Sequence, residues 1–408
     1  MEKTVLLIAT LDTKEEEAVY LKQCIEAQGI RVLLMDIGIL APPRVRVDIS
    51  QTEVAKRGGI PLKDAVATGD KGKCTVNMIR GAEAITKALY DQGHIHGVVS
   101  MGGGQGTEVA CTAMRALPIG APRLMVSTVA NGQHTFGSYV GTRDITIMHS
   151  VADIQGLNFL IKRIIENAAG AIAGMVHQTA GKSMRPMGIP VALSMLGTTT
   201  PGALRAKRIL NERGFEVVAF HQNGTGGIAM EDMIREGAFK GVLDLNLHEI
   251  GDRWIGGLHA AIREDRLEAA GEQGLPQAVA PGSIDYTVQG PVASLSDKMR
   301  IRKYFAHNPR FTLVRLLPDE LRQVGKLVAQ KLNKAKGPVK VFLPLKGFSF
   351  PDRESLSNWD PEGDQAFVKA LKQNLRPSIP VIELDAHIND PEFIDPVVDE
   401  FVRMMEKE

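Results

Sequence analysis

The sequence predicts an α/β protein made of two Rossmann-like domains, with mainly parallel sheets and a cleft between them. Three observations carry this expectation. Short runs rich in Val, Ile and Leu alternate with helical patterns, the rhythm of strand–helix–strand units. Loops rich in glycine and threonine follow several of those runs, where open α/β sheets place their ligands. The pattern also recurs at an offset of 185 residues, carrying Thr13 onto Thr198, Gly29 onto Gly214 and Asp36 onto His221. Duplication and the common look of all such units account for the recurrence equally well, and either leaves two similar halves.

The first unit is the clearest. Residues 5–9 form a continuous apolar strand, as strands covered on both faces do. Residues 10–13 are its loop, 14–28 a helix closed by Gly29, and 30–37 the next strand; glycine just past a helix is a common stop. Residues 41–75 break the rhythm with prolines, glycines and mixed charge and read as an inserted excursion or flap. Helices follow at 76–90 and 107–117, with strands at 97–101, 123–127 and near 144–148. Residues 153–173, rich in small apolar side chains, read as a long helix crossing between domains. The polar stretch 177–187, with Gly and Pro, reads as the linker. The 408 residues thus divide into domains at 1–176 and 188–408. The second opens with a strand at 191–195, a loop at 196–199, a helix at 201–213 closed by Gly214, and a strand at 215–220. Further strands fall near 241–244, 277–280, 311–315, 339–342 and 381–383, and helices at 226–236, 318–334, 363–374 and 395–406.

Composition narrows the function classes. Hydrophobic residues are 44% and charged residues 23%, as in soluble globular proteins. A formal net charge of +1 gives no global attraction to nucleic acid or an anionic membrane. Aromatics are 5% and do not interleave with a basic run, which argues against single-stranded nucleic acid. No apolar stretch is long enough to span a bilayer, and no secretory pattern follows Met1-Glu2-Lys3. Cys24, Cys74 and Cys111 form no close pair, which fits a reducing, cytoplasmic setting. Cys24 and Cys111 fall in expected helices as small core residues; Cys74 lies in a polar segment.

The chemistry gathers in loops. Gly102-Gly103-Gly104-Gln105-Gly106-Thr107 joins an apolar strand to a helix. A tight turn rarely needs four glycines in five positions, whereas bare backbone lets N–H groups approach an anion at a helix N-terminus. The run is neither a Walker A motif nor a complete G-x-G-x-x-G fingerprint, so it indicates a phosphate or carboxylate without choosing between them. Thr10, Asp12, Thr13 and Lys14 follow the first strand. They serve as helix-start residues in one reading, and as phosphate contacts with a metal- or ribose-holding Asp12 in the other. Asp36 ends the second strand, where an acid meets the ribose in many nucleotide-binding folds. Ser127 and the Gly141-Thr142 turn are further polar loop ends, expected to contribute to the nucleotide site. In the second half Thr198, Thr199 and Gly224 sit in equivalent loops, and His221 is the candidate ligand or acid–base residue. Asp285 and Lys346 stand in later loops expected to face the same cleft. Asp244, His248 and Glu249 form a polar cluster that matches no zinc signature; helix capping explains it better.

These loops together resemble the Tm-one-like ATP-binding family, that of the N-terminal domain of the tomato mosaic virus resistance protein, which bacteria and archaea carry as a long uncharacterised protein family. The resemblance is carried by Ala9-Thr10-Leu11-Asp12-Thr13-Lys14-Glu15, by the glycine-rich run, by Val126-Ser127-Thr128-Val129-Ala130-Asn131-Gly132 and by Tyr139-Val140-Gly141-Thr142-Arg143-Asp144. It continues through Gly197-Thr198-Thr199-Thr200-Pro201, Phe220-His221-Gln222-Asn223-Gly224-Thr225-Gly226-Gly227, Pro281-Gly282-Ser283-Ile284-Asp285-Tyr286, His307-Asn308-Pro309 and Leu343-Pro344-Leu345-Lys346-Gly347. At the third and fourth positions of the glycine loop this chain has Gly104 and Gln105 where the family has Ser and Gly.

The resemblance implies ATP binding with magnesium in the N-terminal domain, and a homodimer. Gly102, Gly103, Gly104, Gly106 and Thr107 are then expected to cradle phosphates, helped by Thr10, Thr13 and Lys14, with Asp12 the magnesium-linked contact. Thr198, Thr199, His221, Gly224, Asp285 and Lys346 are expected to hold a second small-molecule ligand across the cleft. Two classes remain open, a phosphoryl- or glycosyl-transfer enzyme and a nucleotide-gated interaction protein without turnover, with a sugar-phosphate or acyl-phosphate enzyme that uses the glycine loop without ATP as a weaker third.

Overall fold

Val5, Leu6, Leu7 and Ile8 are all fully buried, which requires a strand covered on both faces. In the computed structural model, which describes residues 2–130, 137–182 and 185–406, the chain divides into units at 1–184 and 185–408. The first unit runs β1 (Thr4–Ala9), α1 (Leu11–Glu26), β2 (Arg31–Asp36), α2 (Gln51–Gly58), α3 (Leu62–Ala67), α4 (Lys71–Asp91), β3 (Gly97–Gly102) and α5 (Gly104–Arg115). It ends with β4 (Arg123–Ser127), α6 (Gly137–Val140), β5 (Thr146–His149) and α7 (Phe159–Thr179). Its sheet is parallel throughout, in the order β2-β1-β3-β4-β5. One face packs Val5, Leu7 and Val99 against α1 and α7; the other packs Leu6, Ile8 and Val98 against α2, α4 and α5.

The second unit runs β6 (Ile189–Met195), α8 (Thr200–Glu212), β7 (Phe215–His221), α9 (Thr225–Arg235), β8 (Gly241–Asn246), α10 (His248–Ile255), α11 (Ala269–Glu272), β9 (Gln277–Gly282) and β10 (Tyr286–Gln289). It continues through α12 (Asp297–Arg300), β11 (Tyr304–Asn308), β12 (Phe311–Arg315), α13 (Pro318–Leu332), β13 (Val339–Pro344), α14 (Pro361–Asn374), β14 (Val381–Leu384) and α15 (Pro391–Met405). Six strands form a parallel sheet, β14-β13-β9-β8-β6-β7. The first strand of each sheet therefore has the second on one side and the third on the other. The 185-residue offset places β1 on residues 189–194, within β6, and Gly29 and Gly214 both take positive φ, 75° and 84°.

The structure corrects four expectations. The helix expected at 153–173 begins at Phe159, because Asn158 caps it by accepting the amides of Leu160 and Ile161. It ends at Thr179, so the expected linker 177–187 begins inside it; the His177 ring contacts the Gln28 carbonyl and Lys3 there. Residues 41–75 hold α2, α3 and the start of α4, because Ser50 and Asp70 cap helices by accepting the amides of Glu53 and Lys73. The strand at 311–315 lies outside the parallel sheet, in an antiparallel one ordered β10-β12-β11. Its partners are short, and the β11–β12 register shifts at Ala306/Asn308. Among the described residues no helix is long and apolar enough to cross a membrane.

Candidate functional site

Connections reverse direction where the first and third strands of such a sheet meet, and ligands collect outside the strand ends there. In the first unit the loops leaving β1, β2 and β3 surround a cavity of about 520 Å³, within the range of small-molecule sites. Thr10, Asp12, Thr13 and Lys14 line it from the first loop, Gly38, Ile39 and Leu40 from the second, and Gly103, Gly104, Gln105 and Gly106 from the third. Val66, Gly69, Asp70, Lys71 and Cys74 complete it from α3 and the start of α4. The first turns of α1, α4 and α5 thus converge on one space, and each contributes positive partial charge.

Two carboxylates hold the loops in place. Asp12 Oδ2 accepts the amides of Ile39 and Leu40 at 2.9 and 3.0 Å. Asp36 Oδ1 accepts those of Leu11 and Gly38 at 3.2 and 2.8 Å. A Cβ on Gly38 would fall within 3.0 Å of both carboxyl groups, so a larger residue there would have to displace the two anchors. Asp36 is fully buried, and burial raises its pKa above the ordinary carboxylate value, with the two amides opposing. It anchors the loops from beneath the cavity and does not line it, where a ribose contact was expected.

The glycine loop gives the clearest signal. Gly103 is the N-cap of α5 at φ −84° and ψ −160°, a conformation open to any residue. A Cβ there would meet only Thr128 Oγ1, at an ordinary 3.6 Å, and one on Gly104 would meet nothing within 4 Å. Neither backbone geometry nor packing requires glycine at these two positions. What their bareness does is open the first amides of α5, which no side chain caps, to the cavity. Gly102 differs: its Cβ would press Gly106 Cα at 3.3 Å, so it serves the close approach of β3 and α5. Lys14 and Lys71 reach the same space, and neither side chain has a partner among the described residues. Ile39, Leu40 and Val66 form an apolar wall, with Leu40 77% exposed.

Other expected contacts lie elsewhere. Thr107 and Ser127 are buried and hydrogen-bonded to each other at 2.7 Å, joining α5 to the end of β4. Gly141 and Thr142 belong to a turn beside Arg115, which donates to the Ser138 and Tyr139 carbonyls, and do not line the cavity. Asn131 and Gly132 fall outside the described residues. Sequence reading missed Lys71. The Thr68-Gly69-Asp70 turn with its capping Asp was a readable helix start, obscured by treating 41–75 as an excursion.

The second unit has a cavity of about 400 Å³ at the equivalent place. Leu196, Gly197 and Thr198 line it after β6, His221 and Asn223 after β7, with His259 beside them; Tyr286, Val288, His307, Asn308, Phe311 and Leu313 come from the antiparallel sheet. Of the residues expected to hold a second ligand, Thr198 and His221 line it and four do not. Thr199 turns inward to accept the Asn246 side-chain amide at 2.9 Å. Gly224, at φ 100°, donates its amide to Glu249 Oε1. Lys346 pairs with Asp385 on the surface. Asp285 is fully buried, pairs with Arg315 at 3.1 Å and accepts the Ser349 hydroxyl. Of the expected cluster, Asp244 and Glu249 surround buried Arg266, Glu249 also accepting the Gly224 and Gly227 amides at the start of α9, while His248 faces Ser283 and His259.

Arg315 is also shared by Asp352 and Asp364. One guanidinium cannot neutralise three buried carboxylates. Burial, with mutual repulsion, raises Asp285 to about 7, Asp352 to about 8 and Asp364 to about 6, against the pull of Arg315. Folding thus holds protons that the unfolded chain releases at lower pH. This stabilisation is full below the unfolded carboxylate range and is lost as pH rises toward about 8. We expect the stability of wild type relative to Asp352→Asn to fall between pH 5 and 8 in urea titrations; a pH-independent difference would refute the raised Asp352 carboxyl.

Comparison with known proteins follows the same two-part division. Residues 3–181 match a family model described as "Uncharacterised protein family (UPF0261) N-terminal domain", and residues 189–405 the corresponding C-terminal domain model. A "UPF0261 protein" of Clostridium tetani is 39% identical, with 100% of each chain covered. "UPF0261 protein RA0729" of Rhizobium meliloti is 37% identical over 97% of this chain and 98% of its own. "ToMV resistance protein Tm-1(GCR237)" of Solanum lycopersicum is 34% identical over 85% of this chain but only 48% of its own length.

Proposed function

The chain belongs to the UPF0261 family, whose two domain models span nearly all of it, and we propose that its first unit binds ATP, phosphates at the N-terminus of α5. The observation that carries this is the pair Gly103 and Gly104, bare toward the cavity where neither conformation nor packing demands glycine. The lining fits the ligand. Uncapped amides and two unpartnered lysines suit a polyanion. The apolar wall of Ile39, Leu40 and Val66 suits the face of a base. Magnesium would travel with the phosphates. Asp12 Oδ2 is committed to the loop after β2, so its other oxygen is the contact left for the ion.

The test is calorimetric titration of the whole chain with ATP, with and without magnesium. We expect one site per chain, strengthened by magnesium. Lys14→Ala and Lys71→Ala should each weaken binding about tenfold, the worth of one charge-assisted contact. Absence of ATP binding to wild type would overturn the nucleotide reading.

A further inference from the structure

The geometry points to a general base in the second unit: Nε2 of His259, set in that role by His248, at a cavity for a small uncharged molecule bearing a hydroxyl group. This rests on the second unit alone and stands apart from the nucleotide proposal.

The hydrogen bonds fix the tautomers. His248 is fully buried, with Nδ1 3.1 Å from the Ser283 carbonyl and Nε2 3.2 Å from His259 Nδ1. A carbonyl only accepts, so His248 Nδ1 carries a proton. Burial, opposed by Asp252 and helped by His259, lowers His248 to about 4; the ring is neutral at pH 7 and Nε2 is a lone pair. The His259 nitrogen facing it must donate, so His259 is protonated at Nδ1. Burial also lowers His259, against Asp252 and with His221, so it holds one proton and Nε2 is left as the basic atom. His248 itself is fixed by stacking on Tyr286, ring centroids 4.8 Å apart.

Asp252 completes the arrangement. Its Oδ2 accepts the His259 amide at 2.6 Å, and Oδ1 accepts the Thr287 hydroxyl and the Val288 amide at 2.6 and 2.7 Å. Its charge lies 3.9 Å from His248 Nε2. When a ligand O–H bond breaks, the electron pair stays on oxygen and the proton joins His259 Nε2. The imidazolium keeps its Nδ1–H on His248, beside the Asp252 carboxylate. The cavity lining contains no Asp, Glu, Lys or Arg. Beside His221 and His307, Asn223 and Asn308 offer neutral polar contacts and Val288, Phe311 and Leu313 apolar ones, a lining that suits an uncharged hydroxyl compound. His248, Asp252 and His259 also lie close enough to share a metal ion, but both Asp252 oxygens already accept donors.

The test uses the whole chain labelled with ¹⁵N-histidine. Long-range ¹H–¹⁵N correlations at pH 7 should show His259 protonated at Nδ1 and bare at Nε2. In His248→Phe that signature should be lost, and His248→Gln, which restores an acceptor, should recover it. Diethyl pyrocarbonate should acylate His259, and excess glycerol should protect it where inorganic phosphate does not. A wild-type His259 protonated at Nε2 would overturn the assignment. So would stoichiometric Zn²⁺ binding that removes the Nδ1–H signal, in favour of a metal centre. Protection by phosphate and not by glycerol would overturn the uncharged-ligand class.

Discussion

Replacing Arg266 by Met is expected to destabilise the second unit by about 3–5 kcal/mol, because it strips the cation shared by three buried carboxylates. Arg266 donates to Asp244 at 2.7 and 2.8 Å, to Glu231 at 3.2 Å and to Glu249 at 3.3 Å. All four side chains are almost wholly inaccessible. Burial works against the guanidinium charge, but the three carboxylates, Asp244 foremost, hold it firmly protonated. Backbone amides of Gly224, Gly227, Leu267 and Ala269 also bind Glu249 and Glu231, but they cannot supply a full charge. The readout is selective, since both tryptophans, Trp254 and Trp359, lie in the second unit. The fluorescence midpoint in urea should fall by about 1 M or more at pH 8. The deficit should shrink at pH 5, because Glu249, raised by burial to about 7 even beside Arg266, then takes up a proton. Arg205→Ala, which breaks a partly exposed pair with Asp395, should barely move the midpoint. If Arg266→Met did no worse than that control, the amides alone would suffice and the guanidinium would be dispensable.

The amount of this that could be read in the sequence varied with the range of the forces involved. β1, α1 and β2 were legible because residues 5–9 are one continuous apolar run and Gly29 follows the helix at a positive φ, both local features. The glycine loop was legible for the same reason: its bareness is a property of the residues themselves. The inward partners of Asp36 and Asp285 were not legible, because a carboxylate at a strand end looks the same whether it faces a ligand or the interior. What decides is Leu11 and Gly38 for one and Arg315 for the other, partners up to about thirty residues away. His259 gave no signal at all. Its importance comes from His248, eleven residues earlier across the turn after α10, and from Ser283 beyond β9. The antiparallel sheet escaped notice because β10 and β11 are short and β11 is largely exposed, so neither shows a long apolar run.

Gly103→Asp is expected to abolish ATP binding while leaving the first unit as stable as before, or more so. The two effects separate because this position has two roles. As the N-cap of α5, Gly103 leaves the first amides of the helix without a side-chain acceptor. Aspartate is a far better cap and suits the positive end of the helix, by about 0.5–1 kcal/mol. The backbone there is extended and the new Cβ would sit 3.6 Å from Thr128 Oγ1, so the substitution introduces neither strain nor a clash. Its carboxylate would take the same amides that a phosphate would use and add a negative charge where a polyanion must approach. Gly103→Asn should cap without the charge and so weaken ATP binding less. Thermal unfolding of the two variants, set beside their ATP titrations, distinguishes the possibilities. Loss of ATP affinity together with loss of stability would mean that Gly103 is a folding requirement. Unchanged ATP affinity in Gly103→Asp would show that the phosphates bind away from α5, and the nucleotide site would have to be sought outside this loop.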